Sequence, residues 1–234
     1  SNLFPNPALA WLERHGTSTL TRTRIQAITP DGEKWIAQSD GGTFRHDALI
    51  LAASPAQAAP LLDSLPECRT IAQGLRSLEY QPIVTVYAQY PERPPLPTPL
   101  IGWVDPVPLF IFDLGIFDPA KSSLGGPHGA PGRIAVVASA DGPHLQWNDA
   151  RWLEEIQTRM AQVFAGLPAP RLIRRVTEKR ATFSCTPHAY RPASATPCSG
   201  LYLAGDYVAG PYPSTLEGAV RSGVQCASLL MNTP

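Results

Sequence analysis

An excess of charge of either sign is what this sequence most conspicuously lacks. Lys+Arg and Asp+Glu number 19 each in 234 residues, a formal net charge of +0. With no basic block, the electrostatic footprint that nucleic-acid binding requires is absent, and no nucleic-acid partner is expected. The four cysteines (Cys68, Cys185, Cys198, Cys226) lie far apart in sequence and none has CxxC spacing. That argues against a zinc site or redox pair and reads them as separate, idle thiols in a reducing compartment. The five histidines form neither HxxxH nor HExxH, so no metal is expected. No apolar run approaches the ~18 residues of a membrane span. No signal-peptide pattern occurs either, which points to the cytoplasm and leaves open peripheral contact with the inner membrane face. Also missing is a strand leading into GxGxxG and a helix, the fingerprint that holds a dinucleotide pyrophosphate. Gly125-Gly126-Pro127-His128-Gly129 is a decoy, because Pro127 and Pro131 would break any helix that followed.

What is present is apolar and rich in proline. Apolar residues make up 44% and charged residues 16%, which suits a globular chain with a neutral or apolar partner. The 26 prolines punctuate short elements with stiff loops. Ala8–Gly16 reads as a short helix stopped by glycine, and Thr17–Ile28, rich in Thr and Ile, as β. Trp35–Gln38 and Thr43–Arg45 read as strands around the Asp40-Gly41-Gly42 turn. His46–Ala53 ends in a continuous apolar run, as in a strand buried on both faces. Ser54-Pro55 closes it, and Ala56–Leu62 begins a helix.

In the middle, Ile83–Ala88, Leu109–Phe112, Arg133–Ala138 and, more weakly, Leu100–Val104 have strand character. Arg171–Phe183 is a further strand. Trp152, Leu153, Ile156, Met160, Val163 and Phe164 keep helical spacing, with Asn148 or Asp149 as the cap. Leu201–Ala204 is a short buried strand running into Gly205-Asp206. After a Gly/Pro-rich loop, Ser214 and Glu217 have capping-box spacing for a helix reaching about Met231.

A strand ending in Gly-Asp, followed by the amino terminus of a helix, can hold a flavin. The helix start offers free N–H groups to a phosphate or to the flavin N1–C2=O edge, and Asp206 offers an acceptor to ribityl hydroxyls. Gly205 and Gly218 would let the backbone approach the cofactor.

The whole string, Leu201-Tyr202-Leu203-Ala204-Gly205-Asp206 and then Ser214-Thr215-Leu216-Glu217-Gly218-Ala219-Val220-x-Ser222-Gly223, resembles the carboxy-terminal FAD signature of the amine-oxidase and phytoene-desaturase superfamily. Gly16 followed by Ile25-Gln26-Ala27-Ile28 is similar to that family's adenine-contacting strand. Asp47–Pro55 is similar to its A-D-x-V-V-x-A-x-P strand, with His46 in place of alanine and Pro55 one residue late. Within the superfamily, Gln81–Tyr87, Phe110–Asp113, and Lys179–Phe183 with Arg191-Pro192 resemble squalene-associated FAD-dependent desaturases, the hydroxysqualene dehydroxylases. Thr215 stands where many amine oxidases carry an aromatic residue facing the flavin.

The resemblance implies FAD as cofactor, bound by Ile25, Ala53, Gly205, Asp206, Ser214, Thr215 and Leu216. It also implies an apolar isoprenoid substrate, with Trp103, Phe110, Phe112 and Tyr212 on its wall. No catalytic residue is assigned; Asp113, Tyr212 and Arg191 are candidates only, each with a structural alternative. For Phe110 and Phe112 the alternative is hidden core. The fold class expected is α/β and α+β. Residues 1–62 and 191–234 form a partial FAD-binding domain of glutathione-reductase type, lacking its N-terminal βαβ unit. Residues 63–190 form a substrate domain of mixed or antiparallel sheet with covering helices.

The reaction implied is reductive removal of a hydroxyl from hydroxysqualene for hopanoid-type lipids. A flavin-containing amine oxidase, a carotenoid desaturase, or a non-catalytic binding module are the alternatives. The chain is expected to be inactive by itself and to need the missing N-terminal FAD-binding segment of the same protein as its partner. Without a GxGxxG motif, it should retain far less than stoichiometric FAD after desalting. Stoichiometric yellow absorbance would show that a pyrophosphate site exists by other means.

Overall fold

The structure, a computed structural model, describes residues 4–104, 107–117 and 132–232. It divides into two compact units, Ser1–Leu78 with Cys185–Pro234, and Glu79–Ser184. The boundaries differ from those expected, since residues 63–78 and 185–190 belong with the first unit. The Gly125–Gly129 decoy lies outside the described residues.

The first unit opens with α1 (Pro5–Arg14), where proline occupies first-turn positions whose amides need no acceptor. It ends at His15, followed by Gly16 at φ +79. Strands β1 (Ile25–Asp31), β2 (Lys34–Ser39) and β3 (Gly42–His46) form an antiparallel meander. The expected strand over Thr17–Ile28 is therefore shorter and shifted. Residues 17–24 are rich in threonine but have no ladder partner, and composition alone does not make a strand.

Strand β4 (Leu49–Leu51) leads into α2 (Pro55–Leu62), then a 3₁₀ turn Pro66–Cys68 and α3 (Arg69–Arg76). Ala58, Ala59, Leu62, Ala72 and Leu75 from this pair are buried. Gly74 is required there, because a Cβ would overlap the ring of Tyr190.

The second unit is one five-stranded antiparallel sheet of order β6-β7-β8-β5-β9. Its strands are β5 (Tyr80–Tyr90), β6 (Leu100–Trp103), β7 (Leu109–Asp113), β8 (Gly132–Ser139) and β9 (Arg171–Phe183). The short helix α4 (Leu114–Phe117) follows β7, and α5 (Asp149–Val163) follows β8. Asn148 caps α5, its Oδ1 accepting from the Arg151 amide at 2.8 Å. Strand alternation sends Val84, Val86, Ala88, Leu109, Ile111, Ile134, Val136 and Ala138 to one face, where Trp152, Ile156 and Met160 of α5 complete the core.

The chain then returns to the first unit. Strand β10 (Leu201–Leu203) pairs parallel with β4, and α6 (Leu216–Met231) packs behind it. All three residues of β10 are buried, but β4 is not buried on both faces as expected. Among the described residues its sheet has two strands only, so Ile50 remains 41% exposed.

Trp152→Ala should destabilise the chain by about 3–5 kcal/mol in urea unfolding, since a wholly buried indole leaves a cavity α5 cannot close. A loss below ~1 kcal/mol would mean that α5 is not the lid of this core.

Candidate functional site

Because β4 and β10 are parallel and in register (Leu51 opposite Leu203), their carboxyl ends lie together. The Ala204 amide extends the ladder by donating to the Leu51 carbonyl at 3.2 Å. Half-buried Ala53 therefore sits at the same sheet end as Gly205 and Asp206, the end where open α/β sheets bind ligands. Ile25 is half-buried at the start of β1, and its neighbour is bonded to the helix that follows β4. Arg24 Nη2 donates to Gln57 of α2 at 3.0 Å.

Helix α6 is tied to the strand end by Ser222, which is 5% exposed. Its Oγ accepts the Gly205 amide at 2.8 Å and donates to the Ala219 carbonyl at 2.7 Å. The Ser214 amide donates to the Asp206 carbonyl at 3.2 Å, folding the loop back so that Ser214–Leu216 lie beside Gly205-Asp206. Arg191 holds the same loop through bonds to the carbonyls of Gly210 (2.8 Å) and Val208 (2.5 Å), while its buried Nε has no acceptor among the described residues.

The cap of α6 differs from expectation. Ser214 adopts φ +54, so the capping residue is Thr215, whose Oγ1 accepts from the Gly218 amide at 3.0 Å. Thr215 Oγ1 also donates to the Tyr212 carbonyl at 2.8 Å. Glu217 does not reach back as in a capping box but pairs with Arg221 at 2.5 Å. The glycines also differ from their expected role. A Cβ on Gly218 would overlap the Tyr212 carbonyl and one on Gly205 the Tyr207 ring, so both make room for the chain itself.

Thr215 and Leu216 are exposed, Leu216 to 89%, in a first turn whose leading amides have no intrahelical acceptor. Half-buried Asp206 is held above the usual carboxylate range by burial, against hydrogen bonds from its own and the Tyr207 amide and the nearby Arg191 charge. An unsatisfied guanidinium nitrogen, an acceptor carboxylate and an open helix start suit the hydroxyls and phosphate of a ribityl chain. Tyr212 belongs to this loop too, 44% exposed, with the Arg221 guanidinium 4.9 Å from its ring centre.

The residues assigned to substrate divide differently. Phe110 (45% exposed) and Phe112 lie on the sheet face opposite the core, so the hidden-core alternative does not hold within the second unit. Register adds Tyr87, Thr85 and Val137 to that face, which strand parity in the sequence could have found. Trp103 is not among them. It pairs with Leu109 and packs with the core, so the expected wall loses it. Asp113 is a structural acid, 3% exposed, bonded to Arg93 (2.7 Å) and to the Gly115 amide (2.9 Å). Cys68 and Cys198, read as separate thiols, come within 3.3 Å of each other. Among the described residues no cluster suits a metal, and no helix is long and apolar enough to cross a membrane.

The Flavin containing amine oxidoreductase family matches residues 5–231. The chain belongs to that family. Curated relatives include hydroxysqualene dehydroxylases from Rhodopseudomonas palustris, 31% identical, and Sinorhizobium fredii, 28% identical; each match covers 99% of this chain and 51% of the relative. The chain thus spans about half the length of these relatives. Among solved structures, an oxidoreductase from Methanosarcina mazei superposes with a TM-score of 0.67 at 15% identity, over 97% of this chain and 53% of that one. Cyclohexylamine oxidase from Brevibacterium oxydans gives 0.61 at 15%, over 88% and 47%. At such identities they show the fold of the flavin amine oxidoreductases and nothing of substrate. The cofactor of this family is FAD.

A carboxyl with a raised folded-state pKa stabilises fully below the ordinary carboxylate pKa and loses that contribution as pH rises through the raised value. Asp206→Asn should therefore raise the Tm of the flavin-free chain near pH 7 and not near pH 3. In the flavin-loaded enzyme Asp206→Ala should weaken FAD binding by roughly 1.5–3 kcal/mol. An unchanged FAD dissociation constant removes Asp206 from the site.

Proposed function

We propose that the chain forms the substrate-binding unit and the carboxy-terminal flavin-contacting segments of an FAD-dependent oxidoreductase. Its substrate is an apolar isoprenoid, hydroxysqualene, converted to squalene. The observation that carries this reading is the open face of the second unit, where Phe110, Phe112, Tyr87 and Val137 stand together on the side of the sheet away from α5. Such a face gives a hydrocarbon chain apolar side chains to pack against. Affinity for the hydrocarbon must come from buried area, at about 25 cal/mol per Å². The names of the two curated relatives support the same substrate.

Binding of FAD would supply the hydride chemistry. The residues of this chain hold and orient: Gly205 and Asp206 act on the ribityl-phosphate portion, the amides of Thr215 and Leu216 on the pyrimidine edge of the flavin, and the aromatic face excludes water from the hydrocarbon. With Thr215 committed to capping α6, that position offers no aromatic wall for an amine.

Phe110→Ala and Phe112→Ala in the complete enzyme should each raise the KM for hydroxysqualene about tenfold, ~1.4 kcal/mol. Melting temperature should change little, because neither ring is core. Turnover of a soluble amine such as cyclohexylamine, without turnover of hydroxysqualene, would replace this assignment with an amine oxidase.

A further inference from the structure

Cys68 and Cys198 are 130 positions apart and were not paired by any spacing rule, yet their sulfurs lie 3.3 Å from each other. A disulfide needs ~2.05 Å, so the two sulfurs have little distance to close. Both are free thiols. Cys68 is wholly buried at the end of the Pro66–Cys68 turn. Cys198 is half-buried in the loop before β10, where Thr196 holds it: the Cys198 amide donates to Thr196 Oγ1 at 3.2 Å. Next to it, Trp35 Nε1 donates to the Ser199 carbonyl at 3.0 Å, and the Leu49 amide donates to the Gly200 carbonyl at 2.8 Å, opening the β4–β10 ladder. Cys198 also lines a cavity of about 770 Å³ in the first unit, together with Glu67, Trp35 and Tyr202. Small molecules can therefore reach its sulfur.

We propose that Cys68 and Cys198 form a reversible disulfide by exchange with a small-molecule disulfide of the glutathione type. The Cys198 thiolate attacks the oxidant, breaking its S–S bond, joining one half to Cys198 and releasing the other half as a thiol. The Cys68 thiolate then attacks the Cys198 sulfur. The Cys68–Cys198 bond forms and the second half leaves as a thiol. The two protein thiols lose two electrons and two protons, and the oxidant gains them as two small thiols. The order follows from access, because Cys198 faces the cavity and Cys68 does not.

Burial, the neighbouring Cys68 and the Glu67 carboxylate push the Cys198 thiol up to about 12, so exchange is slow at neutral pH and accelerates with base. Cys185 is exposed and serves as the internal reference for thiol exchange. The bond would close a loop containing the whole of Glu79–Ser184, tying together the two chain segments that flank the second unit.

The test treats the 234-residue chain with oxidised glutathione at pH 9 and follows it until Cys185 is fully glutathionylated. Alkylation and a non-reducing peptide map then locate every sulfur. The expected result is a Cys68–Cys198 cross-linked peptide, about 2 Da lighter than its two reduced halves, with a Tm raised by several degrees and restored by dithiothreitol. Cys68→Ser should instead stop at a glutathione adduct on Cys198. If, in the unmutated chain, both sulfurs still alkylate as thiols, or both carry separate glutathione adducts, the proposal is overturned.

Discussion

The parallel pairing of β4 with β10 is the constraint on which the rest of the molecule depends. Three ladder positions, Leu49–Leu51 against Leu201–Leu203, join segments separated by about 150 residues. Everything at the candidate site follows from it. It brings Ala53 and Gly205-Asp206 to one sheet end, gives α6 a strand to pack against, and fixes Ser222 where it can accept the Gly205 amide. A strand this short supplies few backbone bonds. Its stability comes from the burial of all three β10 side chains, with Tyr202, Ala204 and Cys226 forming the cluster beneath α6.

Much of this was legible in the sequence because the signals were local. The β5, β7, β8 and β9 segments, the α5 periodicity with Asn148 ahead of it, and the end of α6 at Met231 each follow from pattern within one element. The misreadings share a different cause. Whether Thr17–Arg24 becomes strand depends on a partner, and whether β4 is buried twice depends on neighbours in its sheet. Whether Ser214 or Thr215 caps α6 depends on how the 205–215 loop returns to Asp206, which sets the positive φ at Ser214. Cys68 and Cys198 meet only because the fold brings them together, and no spacing rule can see that.

Family membership and substrate stand on different supports. Membership rests on a match to nearly all of the chain, and the flavin follows from it. The proposed substrate rests on the second unit, the region where the sequence resemblance was weakest. There, antiparallel pairing gives each strand one core face and one open face, so open-face residues such as Phe110 and Phe112 can change without touching the α5 core. The buried Glu155–Arg159 pair, with Arg159 also bonded to the Val107 carbonyl at 2.6 Å, fixes the helix from the far side. This separation of faces lets the open face vary in chemistry while the fold stays the same.

The same chain arrangement has a consequence for biosynthesis. Glu79–Ser184 is continuous, and β6 and β7 pair with their successors in sequence while β5 takes both β8 and β9. Its core can therefore assemble as soon as β9 has left the ribosome. In the first unit, β4 finds its partner among the described residues only when residues 201–203 are synthesised. Its apolar surface waits through more than a hundred residues of translation, so a unit begun before the second is completed after it.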